Sequence, residues 1–450
     1  MPKPTDIYLR SVTLEQEHIA YRAPIKFGGR AVSDAVLLHV TADVETRDGR
    51  HARGLGSMPM SNIWAWPTRD VPAEKTLAAM VQLGTRLVEE AAEYKASGHP
   101  LDITTDLACT HSATTSEVVR SVGVNEPMPR LAQLVAASPV EAAIHDGFGK
   151  ALGLNSYNTL GAEFVGRDLS AWLGGDFRGE YLDRYTLREP KPQMPLYHLV
   201  GALDPLTDAD LEKRIGDGLP ETLGEWIKAD GLTHLKIKLN GDDLNWDVQR
   251  VLGVEGVAVQ AQAERGCSHW NYSLDFNERC ADVAYVLDFL RQIEERNPAA
   301  LARVHYIEQP THRDLKSHPH HRMHAAAKIK PVVIDESLID FESLLLSREM
   351  GYSGVALKAC KGQTEALLMG AAAQKYGMFL CVQDLTCPGA SFLHSASLSA
   401  RIPTVAAIEG NARQYCPNGN RGWRERFPSM FEIHDGTLGT SVLNGPGLGY

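Results

Sequence analysis

The chain has 450 residues, a formal net charge of -11 and seven cysteines. This length exceeds an average domain and predicts two domains or one large barrel with an elaboration, while the acidic balance argues against a nucleic-acid footprint. No run approaches the eighteen or so apolar residues of a membrane span, no apolar leader opens the chain, and the cysteines show neither CxxC pairing nor zinc spacing, so a soluble cytoplasmic protein with reduced thiols is expected.

In chain order, residues 7–19 alternate weakly and residues 32–44 are rich in β-branched side chains, and the turn Arg47-Asp48-Gly49-Arg50 returns the chain through 51–58 as a hairpin. Two connections read as lids: 24–30, glycine-rich and cationic with Lys26, and 57–67, amphipathic with Trp64 and Trp66. Leu77, Met80, Val81, Leu83, Leu87 and Val88 have helical spacing over 73–96. A second helix is predicted to start at Ser138, with Pro139 as its first residue and Glu141 closing a capping box, and to run to Gly153. Residues 1–165 are thus expected to form an α+β domain.

From about residue 194 the pattern changes to short apolar strands at 196–201, 234–239, 270–277, 304–308, 332–336, 355–358, 379–383 and 405–409, with helices such as 281–295 and 364–376 between them. Eight such strands predict a TIM-like (β/α) barrel over 190–410, with 411–450 packing back on the first domain. Catalytic groups of such barrels sit where strands end. On the second strand, Lys236 and Lys238 share a face about 7 Å apart, and their mutual repulsion with burial is expected to push one towards neutrality near pH 7. Asp275 with Asn277 ends the third strand, Glu308 the fourth and Asp335 the fifth. Three converging carboxylates are costly without a cation, and hard oxygen donors select Mg²⁺, with Mn²⁺ as a substitute. Lys358 ends the sixth strand, across the barrel from Lys238. Asp384 and Glu409 close strands seven and eight, where each would bind a substrate amine or hydroxyl or cap structure; with Asn277, Lys26, Trp64 and Trp66 they are the candidate substrate contacts. The histidine-rich stretch 318–324 matches no ligand template and reads as a solvated loop.

As an ordered set, Lys236-Ile237-Lys238, Asp275-Phe276-Asn277, Glu308-Gln309-Pro310, Asp335-Glu336-Ser337 and Ala356-Leu357-Lys358-Ala359-Cys360-Lys361 resemble the enolase superfamily, in the lysine-bearing, muconate-lactonizing-like branch of its mandelate racemase/muconate lactonizing enzyme family. The resemblance implies a capping domain over a (β/α)7β barrel and Mg²⁺ on Asp275, Glu308 and Asp335. It also implies removal of the proton α to a substrate carboxylate to give a metal-stabilised enolate. Two departures stand out: the sixth and seventh strands offer no His-Asp pair, and Gly362-Gln363 follows the sixth-strand lysine where a Gly-Gly pair is common. The expected reaction is racemisation, epimerisation or cycloisomerisation of a small carboxylate, with acid-sugar dehydration as the alternative and a non-catalytic binding protein as the third. A homo-oligomer with no nucleic-acid or membrane partner is expected.

Overall fold

The computed structural model describes residues 2–27 and 30–450. The amino-terminal part is an antiparallel sheet ordered β1 (Ile7–Phe27), β2 (Arg30–Thr46) and β3 (His51–Pro59). Alternation decides which face is buried: Leu38, Val40, Ala42 and Val44 of β2 are buried, the last three packing with Val140, Ala143, Ile144 and Phe148 of the helix Arg130–Leu152. Strand β3 lies so close to that helix that a side chain on Gly56 would collide with the Pro139 carbonyl, and one on Gly54 with the Ala143 carbonyl.

Two local expectations are corrected here. The 24–30 segment is largely strand, paired Ile25 with Val32, Lys26 with Ala31 and Phe27 with Arg30. Its anchor is apolar, because Ile25 and Phe27 pack with Leu199 and Tyr415 of the barrel. Gly28 and Gly29 of the expected lid lie outside the described residues. The second helix starts at Arg130, and Pro139 sits inside it. Ser138 hydroxyl donates to the Val135 carbonyl in the preceding turn, and Leu131, Leu134 and Val135 are buried, so packing extends the helix past the local capping pattern.

The barrel strands are β4 (Met194–Val200), β5 (His234–Lys238), β6 (Asn271–Asp275), β7 (Val304–Glu308), β8 (Val332–Ile334), β9 (Gly354–Leu357), β10 (Phe379–Val382) and β11 (Ile408–Glu409). They run parallel in sequential order and β11 closes on β4. Tyr197, Tyr306, Val333, Ala356, Cys381 and Ala407 form a separate buried cluster contributed by this closed sheet. A short β12 (Thr437–Leu438) pairs antiparallel with β4, and Leu448 N–H donates to Asp146 of the Arg130–Leu152 helix at 2.9 Å. No helix among the described residues is long and apolar enough to cross a membrane.

Cap and barrel are joined just past the carboxyl end of the sixth strand. Glu141 accepts from the Thr364 backbone N–H at 3.1 Å, capping the barrel helix Gln363–Lys375 from the other domain. Gly362 has φ 102°, and any side chain there would strike the Glu141 carboxylate. Burial holds Glu141 at about 7, and burial with Glu141 alongside holds Glu365 at about 8. Both folded values lie above the unfolded one, so this contribution to stability is complete below about pH 4.5 and is lost as pH rises towards the folded values. Glu365→Gln should therefore reduce the fall in Tm between about pH 5 and pH 9 by a few degrees, read by calorimetry at several pH values.

Candidate active site

Lys236 and Lys238 lie on β5, one residue pair apart on the inward face, and both are buried. They converge on one carboxylate: Lys236 Nζ is 3.1 Å from Asp275 Oδ2, and Lys238 Nζ bonds the same oxygen. Lys236 also sits 2.8 Å from Glu308 Oε2 and 2.8 Å from Glu409 Oε2, so one ammonium ties the ends of β6, β7 and β11 together. Across the barrel, Lys358 Nζ is 2.8 Å from Asp335 Oδ2, though without hydrogen-bonding geometry. With eight strands closed in sequence, β5 and β9 are four steps apart by either route, which puts Lys238 and Lys358 on opposite walls.

For Lys236 the expected fall in pKa is corrected. Burial alone would lower Lys236, but Glu308, Glu409 and Asp275 outweigh it and raise it well above the ordinary lysine value. Burial likewise opposes the charge on Lys358, which Asp335 overcomes, so it too is raised. The carboxylates divide: Asp275 is held low by Lys238 and Lys236 against its burial, whereas burial and the neighbouring Asp275 push Glu308 well up. Burial and Glu409 likewise raise Asp384 to about 7.

The other predicted contacts are distributed unevenly. Trp64 enters the site, its ring 4.5 Å from Lys358 Nζ and its indole N–H donating to Glu336 at 2.8 Å. Trp66 instead spends its N–H on Glu126 at 2.8 Å, within the cap. Lys26 donates to Asn240 Oδ1 at 3.2 Å, just past β5, and Phe27 lies 5.6 Å from Lys238 Nζ. Asn277 does not continue the alternation of β6: the strand ends at Asp275, and Asn277 turns to φ 46° so that its N–H donates to Asp275 Oδ1 at 2.8 Å. Asp384 Oδ2 accepts backbone N–H groups of Cys387 and Asn411 and so caps the turn, while its Oδ1 is enclosed without a partner, as is Asn411 Oδ1. The residues 318–324 hold a stack of imidazoles, His318 and His321 with centroids 5.1 Å apart.

Five further residues complete the site without having been singled out in the sequence. Gln383, just after β10, donates to Glu308 Oε2. Lys361, one short turn beyond Lys358, contacts Asp335 Oδ1 at 3.1 Å. Arg313 donates through Nε to Glu278 at 2.8 and 2.9 Å and through Nη2 to the Trp64 carbonyl at 3.0 Å. Glu278, Arg313 and Glu336 therefore form an outer ring, each on the loop leaving one of the carboxylate-bearing strands. For Lys361 and Glu336 the signal was proximity to a candidate residue; for Arg313 there was none.

The chemistry of the donors suits a hard divalent cation: three enclosed carboxylates at adjacent strand ends, with Asp335 Oδ2 lacking a hydrogen bond and Glu308 crowded by like charge. Here the lysines supply the neutralising charge, and among the described residues no three His, Cys, Asp or Glu side chains are arranged as a ready-made metal cage.

A closed parallel barrel beneath an antiparallel cap, with strand-end carboxylates and lysines, is the architecture of the enolase-type enzymes. Residues 219–450 match the sequence model described as Enolase C-terminal domain-like, and the chain belongs to that family. Among solved structures, the chain resembles a dipeptide epimerase from Enterococcus faecalis V583 complexed with Mg and the dipeptide L-Leu-L-Tyr, at 16% identity and TM-score 0.62, with 99% of each chain covered. It is likewise similar to the substrate-liganded L-Ala-D/L-Glu epimerase from Bacillus subtilis (16% identity, TM-score 0.63, 98% of each chain). A third is the muconate lactonizing enzyme from Pseudomonas fluorescens complexed with muconolactone (16% identity, TM-score 0.60, 98% of this chain and 96% of that one). No curated protein matches the sequence.

Proposed function

We propose that the chain is a Mg²⁺-dependent isomerase of the lysine branch, which moves the proton α to the carboxylate of a small substrate. In this reading residues 1–165 are the cap, 190–410 the catalytic barrel and 411–450 the segment joining them. Mg²⁺ held by Asp275, Glu308 and Asp335 would supply positive charge to the substrate carboxylate as the α-carbon loses its proton. Lys238 takes or returns the proton on one side of that carbon, and Lys358 does so on the other. Lys236, already tied to three carboxylates, keeps the site neutral and fixes Glu308 and Glu409. Trp64 and Phe27 exclude water above the two bases.

The observation that carries this reading is the pair of buried lysines on opposite walls, each matched to a different carboxylate. It favours racemisation or epimerisation, which needs a proton carrier on each side, over the one-base elimination of an acid-sugar dehydratase. The likeness to two epimerases points the same way. The enclosed, unpartnered acceptors Asp384 Oδ1 and Asn411 Oδ1 suit a substrate that presents N–H or O–H donors beside its reacting carbon.

Dipeptides, N-acyl amino acids and acid sugars incubated with the protein and Mg²⁺ in D₂O should include one carboxylate that gains α-deuterium, followed by NMR. Chelation should stop the exchange and added Mg²⁺ should restore it. Exchange that persists after chelation, or loss of water without exchange at recovered substrate, would overturn the isomerase reading.

A further inference from the structure

The outer ring holds a cap residue that bears on one base and not on the other. Trp64 is gripped at both ends: its indole N–H donates to Glu336 Oε1 at 2.8 Å, and its carbonyl accepts from Arg313 Nη2 at 3.0 Å. Arg313 is itself fixed by Glu278, which accepts from its Nε and, at 2.9 Å, from its backbone N–H. Glu278 lies three residues after Asp275, Arg313 five after Glu308 and Glu336 one after Asp335, so the strands bearing the central carboxylates also carry the grip. Trp64 is 5% exposed, and its ring lies 4.5 Å from Lys358 Nζ. Lys238 instead faces Phe27, at the end of β1, whose packing on Leu199 and Tyr415 lies outside the grip and meets the Trp64 segment through Ile63.

We propose that Arg313 and Glu336 are positioning residues that hold Trp64 across Lys358, so that docking of the cap sets the placement of that lysine and its shielding from water, with Lys238 outside the grip. The proposal rests on the two-lysine reading above. The indole face seats the Lys358 side chain between itself and Asp335 and keeps water away from it. Lys358 therefore keeps one position, screened from solvent, for as long as the indole is gripped. Loosening the grip exposes it and biases the enzyme towards transfers at Lys238.

The test compares Glu336→Leu, Glu336→Gln and Arg313→Lys, using both antipodes of whichever carboxylate of the panel exchanges in D₂O. Glu336→Leu should slow exchange of the α-hydrogen facing Lys358 about tenfold or more relative to the one facing Lys238, as expected for loss of a charge-assisted hydrogen bond. Glu336→Gln, whose amide oxygen still accepts the indole N–H, should restore the wild-type ratio. Arg313→Lys, which keeps a cation beside Glu278 but cannot also reach the Trp64 carbonyl, should shift the ratio as Leu does. With 5-fluorotryptophan incorporated, the ¹⁹F resonance that disappears in Trp64→Phe should move in the Leu and Lys variants and stay in place in Gln. Equal loss at both antipodes, identical behaviour of Gln and Leu, or an unmoved Trp64 resonance overturns the grip while leaving the two-lysine reading intact. Wild-type protein that exchanges neither antipode overturns that reading and this inference with it.

Discussion

Glu308→Gln should remove turnover and weaken Mg²⁺ binding by more than the roughly 10- to 100-fold that loss of an outer-shell partner costs. Glu308 is buried between Asp275, Asp335, Lys236 and Gln383, and it shares the ammonium of Lys236 with Glu409. An amide there takes away a negative oxygen donor and turns an N–H group towards Lys236 or Gln383, both of which already donate. The folded state should survive, because Lys236 keeps Asp275 and Glu409 as partners. Calorimetric titration with Mg²⁺, alongside a thermal melt, separates the two effects. Unchanged Mg²⁺ affinity in a folded variant would refute the carboxylate assignment.

The lysines give the second large effect. Lys358→Ala should reduce exchange at one antipode by about 10²–10⁴-fold, the usual contribution of a positioned acid or base, while the other antipode retains measurable exchange. Lys238→Ala should show the opposite preference, and both variants should still bind Mg²⁺. The expectation follows from placement: the two nitrogens stand on walls four strands apart and contact different carboxylates. Full activity of Lys358→Ala on a confirmed substrate would leave a one-base elimination by Lys238 as the better account.

The barrel was legible because most of its strands are short, largely apolar runs closed by a polar residue, and 304–308 is found with the expected limits. Where the reading slipped, a local pattern lost to a distant contact. The third strand stops two residues early because Asn277 turns its N–H back to Asp275. The Ser138-Pro139 signal is internal to a helix because the residues before it are buried. The central lysines and carboxylates could be read from their places at strand ends, but the contacts that join the outer ring could not. Arg313 meets Glu278 across 35 residues and Trp64 across 249, and no spacing rule connects such pairs. The charge state of Lys236 was misjudged for a related reason: it depends on how many carboxylates gather around the nitrogen, and Lys236 draws on three strands for its partners.

The contact between β3 and the Arg130–Leu152 helix has a mechanical consequence. With no room for a side chain at Gly54 or Gly56, this strand can neither slide nor tilt on the helix, and it leads within a few residues to Trp64. Trp64 thus sits near the tip of a cantilever whose root is clamped by the helix and whose tip is held by Glu336 and Arg313 of the barrel. Lengthening or re-sequencing the few residues between root and tip should therefore retune substrate choice without disturbing the clamp.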